Sequence, residues 1–403
     1  MVLFLHHRYR TTGGEERTVE DLRWLVREHL REPAELLARD SASLGRARAA
    51  AGLLCGGLQP GDVARAVRLS GARVVHAHNV HPTLGWRALA AAREAGARVV
   101  LHLHQYRLVC AIGVCYTHGA ECTRCHGRDT LPGVRLRCRG SLPEAAAYGA
   151  ALSLWQRRLV AQADALIVPS RFARERLRAL GAPLPWERVH VLAPPVRALA
   201  GTATSPRPGA VGTETAVETG RAAAARAESA RRPYALVASR LAPEKGVDVA
   251  IAACRLAGIE LVVAGDGPEL PVLRELAGDG DGDVRFAGRV DDAELARLRA
   301  GASVALVPSR AAETFGMAAA EAMAAGLPVA ASAVGALAEL LDEVSLAPPG
   351  DAPALAGAIA RVLADPDVAR RGRERVGAIC APDVVARGLA GVYDGVAGTL
   401  AET

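Results

Sequence analysis

The chain is predicted to fold as two doubly wound α/β domains, each a parallel sheet with helices on both faces. Three observations predict this. Short apolar runs alternate with amphipathic helical stretches along most of the sequence, which is the pattern of strands buried on both faces. The alternation breaks once, at 198–232, in a stretch of Ala, Gly, Thr, Pro, Glu and Arg with almost no large apolar residues. The length, 403 residues, exceeds one ordinary core and suits two domains of roughly 150–200 residues each.

Taken in order, residues 2–5 read as a first strand, followed by the Gly13-Gly14 turn and a helix over 19–29. A strand at 73–76 leads to a helix at 84–95. The strand at 98–102 comes next, then one at 165–168 with a helix at 171–180. After the break, strands are expected at 234–238, 260–264, 284–287, 304–307 and 329–331. The domains are therefore placed at 1–197 and 233–380, with 198–232 as a flexible linker. A last helical stretch, 381–403, is left without a domain. The alternating Asp and Gly of 279–283 lack the Gly and Glu spacing of a calcium loop and read as a solvated turn. In such folds ligands collect at the C-terminal ends of the strands, so two facing domains would put an active site in the cleft between them.

Hydrophobic residues make up 50% of the chain and aromatics only 3%, so the cores must be built from Val, Leu and Ala. The net charge is +6, from 49 basic and 43 acidic residues. Most of that excess is Arg along helical faces and reads as solvated surface; a basic face toward anionic lipids or phosphorylated substrates is the second reading. Nucleic acid is not expected, because no basic cluster carries interleaved aromatics for stacking bases. No apolar run reaches the ~18 residues of a membrane span, and the Met1–Leu5 run is too short for a signal peptide. A cytoplasmic location is expected, with a peripheral membrane contact as a further expectation.

The most informative segment lies in the C-terminal half. Val304-Ala-Leu-Val-Pro-Ser309 runs as a buried strand into a turn, and Glu313-Thr-Phe-Gly-Met317 follows. A helix over 317–325 carries Glu321. If it starts near Gly316, Glu313 sits in its entrance loop and Glu321 lies about one and a half turns inside, roughly 7 Å along the axis. A helix N-terminus offers free N–H groups and positive dipole density, which suit a diphosphate. Gly316 leaves room for phosphate oxygens, with the backbone of Thr314, Phe315 and Met317 beside it. Glu313 can bind sugar hydroxyls and Glu321 a ribose. Arg240 and Lys245 follow the strand 234–238 and can neutralise charge on a departing diphosphate. Gly267, in Gly265-Asp-Gly-Pro268, makes a tight turn at the same edge, and Arg289-Val290 follows a further strand and can set backbone groups against a base.

The order Arg-x4-Lys-Gly, Gly-Asp-Gly-Pro and Glu-x-Phe-Gly-x4-Glu-Ala-Met-Ala-Ala-Gly-x-Pro-Val resembles the donor domain of the retaining family 4 glycosyltransferases of GT-B fold (glycosyl transferases group 1). The resemblance covers residues 233–345. It implies transfer of a sugar from a nucleoside diphosphate sugar to an acceptor hydroxyl with retention, for polysaccharide, glycolipid or other glycoconjugate synthesis. It implies no catalytic metal or other cofactor. One departure stands out: the segment reads Gly335-Ala-Leu-Ala-Glu339, with Ala336 where the family has a second glycine. The case for close backbone approach at that point is therefore weaker than in the family.

In the N-terminal half, Gly13-Gly14 after the first strand lets the backbone approach phosphate or sugar; in the family the matching loop lines the cleft beneath the donor diphosphate. Histidines concentrate at 76, 78, 81, 102 and 104. His104, in Leu101-His-Leu-His-Gln-Tyr-Arg107, resembles the family's strand-end His, which implies contact with the transferred sugar or orientation of the acceptor. His102 reads as packing, and His76 and His78 as structural. Five cysteines, Cys110, Cys115, Cys122, Cys125 and Cys138, fall within about 30 residues and resemble a Cys-bearing insertion of one branch of the family. Four of them could hold a structural zinc; free thiols or, less suited to a reducing compartment, disulfides are the other states left open. A GT-B epimerase and a non-catalytic sugar-nucleotide-binding subunit are the alternative functions. An NAD-dependent oxidoreductase is excluded, because no Gly-x-Gly-x-x-Gly opens the first helix.

Overall fold

The computed structural model describes residues 1–9, 13–200, 233–278 and 283–398. The expected linker lies almost wholly outside these residues, as does most of the Asp-Gly turn. The chain forms two compact units: Met1–Arg197 with Pro382–Thr403, and Ala198–Ala381. The last helical stretch thus belongs with the N-terminal unit.

The first unit is built on β1 (Val2–Arg8), β2 (Ala34–Asp40), β3 (Val74–Ala77), β4 (Arg98–His102), a small ribbon of β5 (Tyr116–Thr117) and β6 (Ala120–Glu121), then β7 (Ala165–Val168) and β8 (Val189–Val191). Its main sheet runs β2-β1-β3-β4-β7-β8, parallel throughout. Side chains alternate between the sheet's faces. Leu3, Leu5, Val75, Val99 and Leu101 pack with the helices Pro60–Ser70 and Gly85–Glu94. Val2, Phe4, Val74 and Val100 pack on the other face with Leu22 and Leu25 of the helix Gly14–Glu28. Val385, Leu389 and Val392 of the helix Pro382–Gly398 join that second cluster. Burying each such side chain contributes about 1.5–3 kcal/mol, which explains why the C-terminal helix returns here.

The second unit holds β9 (Tyr234–Ala238), β10 (Glu260–Ala264), β11 (Val284–Gly288), β12 (Val304–Val307), β13 (Val329–Ser332) and β14 (Leu346–Ala347). The order is β11-β10-β9-β12-β13-β14, again parallel. This is the 3-2-1-4-5-6 order of a doubly wound nucleotide-binding sheet. Val237, Leu261, Val263 and Leu306 pack with Ile251 and Ile359 on one face. Leu236 and Val262 pack with Leu295 and Leu298 on the other.

Two expectations need correction. Strands β2, β8 and β14, and the β5–β6 ribbon, were not expected. The first three lie at sheet edges. β2 reads Ala-Glu-Leu-Leu-Ala-Arg-Asp with only its first residue buried, and β14 is two residues long, so neither carries an apolar run. A membrane-length apolar stretch also exists: Val368–Ala397 meets the length and composition of a span at a mean hydropathy of 1.3, but half of its apolar window is buried within the protein. It is divided at Ala381 into the helices Val368–Cys380 and Pro382–Gly398, and the second of these is a core helix.

Candidate active site

The switch point of a doubly wound sheet is where the chain reverses its direction of winding, and loops diverge there to leave a crevice. In the second unit it falls between β9 and β12. The loop after β9 carries Arg240 and Lys245; the loop after β12 carries Ser309 and Glu313. The structure brings Lys245 and Glu313 together, with Lys245 Nζ 2.7 Å from Glu313 Oε1. The Ser309 hydroxyl donates to the same oxygen at 2.7 Å. Burial pushes the Glu313 carboxyl up, and the Lys245 ammonium and Ser309 hydroxyl more than offset this, so its pKa lies below the ordinary carboxylate value.

The two loops are locked to one another. The Glu244 carbonyl accepts the Arg310 N–H at 2.8 Å. The Arg310 guanidinium grips Asp248 through two contacts of 2.6 and 2.5 Å, a bidentate geometry that fixes direction as well as distance. Arg240 is largely exposed and pairs with Glu244. Gly267 packs against this loop, since a Cβ there would stand 2.2 Å from the Leu241 carbonyl oxygen. Arg289 is exposed, while Val290 packs beside the cluster of Leu236, Val262 and Leu298.

The helix after β12 begins as expected, with Gly316 as its N-cap and Met317–Ala324 as its body. Phe315 is buried; Thr314 and Met317 are half-buried. Gly316 takes a φ of 100°, and a Cβ there would meet Leu337 Cδ2 at 2.6 Å. The protein's own packing therefore requires this glycine. Glu321 is engaged by Arg299 of the helix Asp292–Gly301. Close approach occurs one residue before Ala336, where Gly335 at φ 61° would set a Cβ 2.3 Å from the Glu313 carbonyl oxygen. Ala336 keeps an ordinary helical conformation and donates its N–H to that oxygen at 2.9 Å.

In the first unit the switch point lies between β1 and β3. Gly13 is extended, and Cβ atoms on Gly13 and Gly14 would meet nothing closer than 3.6 Å, so the described packing leaves that turn open. The carboxylate of Glu16 accepts the N–H groups of Gly13 at 2.8 Å and Tyr9 at 3.0 Å. Glu15 accepts from the Tyr9 hydroxyl at 2.9 Å and the Gln105 amide at 3.1 Å. His104 Nε2 lies 2.8 Å from His78 Nδ1, and its ring stacks on His102 at 4.2 Å. Burial pulls His104 below the ordinary imidazole value, opposed by the nearby charges of Glu15 and Glu16. His76 lies between the Tyr393 hydroxyl, 2.7 Å away, and His102 Nδ1, 3.3 Å away. Burial and the charge of His104 take it down to about 3. His81 is half-buried, and burial takes it likewise to about 3.

Among the described residues, His76, His78 and His102 bring three potential metal-ligand atoms within 4.8 Å. Their rings stack with interplanar angles of 24°, 9° and 28°, which does not aim three lone pairs at one point, and one of the three pairs, His76 with His102, is hydrogen-bonded while His78 bonds to His104. The five clustered cysteines line one small cavity, and all eight cysteines of the chain are free thiols.

Several residues of these sites were not anticipated: Ser309, Glu15 and Glu16. The signal for the two glutamates was available, since acids directly after Gly-Gly at a helix start suit its N–H groups. One compositional signal is sharper. Lys245 is the only lysine in the chain; every other basic side chain is Arg. A compact point charge, not a planar fork, stands at the switch point.

The comparisons match each half in turn. A glycosyl transferase 4-like domain model matches residues 2–195, and a glycosyl transferases group 1 model matches 232–365. The phosphatidyl-myo-inositol mannosyltransferase of Mycolicibacterium smegmatis is 40% identical over 131 residues, 30% of this chain and 34% of the relative. The chain thus spans about a third of that relative's length. Anabaena HepE in complex with UDP superposes with a TM-score of 0.62 at 18% identity, over 100% of both chains. Sucrose-phosphate synthase from Thermosynechococcus elongatus gives 0.67 at 20% identity, also over 100% of both. Parallel six-stranded sheets in both units, the shared fold of these structures and a family model on each half lead to one conclusion: the chain belongs to the group 1, 4-like glycosyltransferases of GT-B fold.

Proposed function

We propose that the chain transfers a sugar from a nucleoside diphosphate sugar to an acceptor hydroxyl, with retention at the anomeric carbon. The observation that carries this reading is the Lys245–Glu313–Ser309 contact at the switch point of the second unit. Lys245 and Arg240 take up charge on the leaving diphosphate. Glu313 receives hydroxyls of the sugar, and the N-terminus of the helix Met317–Ala324 faces phosphate oxygens. Glu321 holds the ribose while Arg299 steadies it. Gly13-Gly14 and His104 serve the same reaction from the first unit, with His78 setting the ring of His104. Retention rests on the resemblance of the Glu-x7-Glu segment. A lipid-linked or saccharide acceptor, and with it a peripheral contact with a membrane on the cytoplasmic side, is supported by the likeness to the phosphatidyl-myo-inositol mannosyltransferase.

The test is a panel of UDP-, GDP- and ADP-sugars in a thermal-shift assay. A true donor binds the folded state and raises Tm, by about 2.7 kcal/mol of added stability at 100 times its Kd. Proton NMR of the product made from the best donor then reads the anomer. A product of inverted configuration overturns retention. Epimerised free sugar formed without any acceptor overturns transfer itself.

A further inference from the structure

Charge is shared unevenly between the two units. The first carries 30 basic against 19 acidic residues, and the second 19 against 24. Within the first unit the excess gathers where the chain has no acid at all. No Asp or Glu occurs in residues 41–61, 63–93 or 145–163. These stretches supply the helix Arg46–Leu54, all but the last residue of Gly85–Glu94, and all but the start of Leu142–Ala161.

The three helices meet on one side of the unit. The Trp155 Nε1–H donates to the Leu54 carbonyl at 3.1 Å, so the end of Arg46–Leu54 rests on Leu142–Ala161. The rings of Trp86 and Trp155 stand 6.0 Å apart, and the Arg158 guanidinium lies 5.4 and 5.1 Å from them. Around this pair the surface is both basic and apolar. Arg46, Arg48, Arg87, Arg157 and Arg158 are exposed, and none of them has a carboxylate partner among the described residues; Arg48 bonds the Gln59 amide oxygen. Elsewhere on the unit Arg65, Arg139 and Arg178 pair with Asp62, Glu144 and Glu175. Leu54 and Leu154 are 48% and 50% exposed. Leu154 precedes Arg157 and Arg158 by three and four positions, so the three share one helical face.

In water such a face leaves leucines wet and like charges unpaired. A bilayer with anionic head groups relieves both. Arginine forks meet lipid phosphates, and the leucines reach the acyl boundary while the charges stay at the head groups. Arg158 lies over both Trp rings, where a stacked nucleic-acid base would sit.

We propose that this face, centred on Leu54, Arg87, Leu154, Trp155, Arg157 and Arg158, docks the chain on an anionic membrane surface. It rests on the lipid-linked acceptor proposed above and fixes which side of the first unit meets the lipid. His81, on the loop after β3, lines a small cavity with Leu53, Trp86, Leu152 and Trp155, so the face adjoins a loop of the first switch point.

The full-length chain is floated with vesicles of phosphatidylcholine alone and of equal parts phosphatidylcholine and phosphatidylglycerol, without donor or acceptor. Binding to the anionic vesicles and not to the neutral ones is expected, and it should weaken as salt shortens the Debye length. Arg157→Gln with Arg158→Gln should weaken it about 25-fold, about fivefold per charge, and Leu154→Glu should weaken it too. Arg274→Gln with Arg373→Gln, the same change of charge on exposed residues of the second unit, should leave it unchanged. Should a first-unit variant fail to fold, brominated phosphatidylcholine in the anionic vesicles decides: it should quench the wild-type tryptophan fluorescence, and Trp155→Phe should reduce that quenching. Equal binding to both kinds of vesicle, binding to neither, equal loss from the two arginine pairs, or undiminished quenching in Trp155→Phe overturns the proposal. So does a dimer in solution that Leu154→Glu dissolves, which places a second copy of the chain on this face. Because no donor is present, failure here leaves sugar transfer untouched, and a chain that docks but transfers nothing counts against the proposed function alone.

Discussion

The two units solve the same architectural problem with opposite electrostatics. Each is a parallel six-stranded sheet with a crevice at its switch point. All 11 histidines lie in the first unit and none in the second, and the only lysine lies in the second. At the first switch point, imidazoles stack in the interior and are kept neutral by desolvation. At the second, the neighbouring Lys245 ammonium and Ser309 hydroxyl outweigh burial and hold the Glu313 carboxyl below its ordinary value. Neutral rings can be buried without a counter-charge, whereas a charged site must be paired or left wet. The first arrangement suits shape and hydrogen bonding to hydroxyls; the second suits a ligand that brings negative charge of its own.

The comparison breaks most visibly at Lys245. Lys245→Ala should lower kcat by about 10²–10³-fold, the loss typical of removing one group that stabilises developing negative charge. Lys245→Arg should recover only part of this, because a fork does not replace a point charge. Glu313→Gln should lose activity similarly while costing only about 1 kcal/mol of stability, since the pair is partly exposed. With a single lysine in the chain, amine-reactive labelling touches Lys245 and the N-terminus alone, and peptide mapping separates them. Inactivation that tracks label on Lys245, and that donor prevents, is expected. Full activity in Lys245→Ala would refute the site.

A pH titration sharpens the contrast. His76 is fully buried and falls from 6.5 to about 3, so between those values the unfolded chain binds the extra proton. Stability is therefore lost as pH falls below 6.5, by about 1.4 kcal/mol per pH unit for such a ring. The Glu313 carboxyl is shifted the other way relative to its charge: its folded pKa lies below 4.5, so its contribution is present above 4.5 and lost only on further acidification. The first unit should unfold first. Trp24, Trp86, Trp155 and Trp186 are the chain's four tryptophans and all lie in the first unit. Tryptophan fluorescence should thus show its acid transition at higher pH than far-UV circular dichroism, which reports both units. Coincident transitions would contradict the reading. The smallest effect is expected from Tyr393→Phe, which removes the 2.7 Å contact with His76. It should lower the fluorescence-detected stability by about 1–3 kcal/mol, because a buried ring nitrogen is left unpaired.

The central strands were legible because a strand covered on both faces must be apolar along its whole length. Residues 234–238, 260–264 and 304–307 show it, each expected and each found over the same range. The edge strands β2, β8 and β14 were not legible, since an edge is defined by the neighbour it lacks. The helix entrance at Gly316 was legible from its glycine and the small residues that follow. The reason for that glycine was not: Leu337, which a side chain there would strike, lies 21 residues away in the sequence.

By itself the sequence determined the alternation of strands and helices, the division into two domains, and the candidate residues on strand-end loops. These depend on periodicity and local backbone chemistry, which a linear chain carries in full. Tertiary structure decided which of those residues meet. It paired Lys245 with Glu313 across 68 positions, assigned Arg299 to Glu321, set Gly335 against the Glu313 carbonyl, and returned the last helix to the first unit through Tyr393 and His76, 317 positions apart. Such pairings follow from strand order, and strand order follows from burying two faces of each sheet at once, a condition that no local stretch of sequence contains.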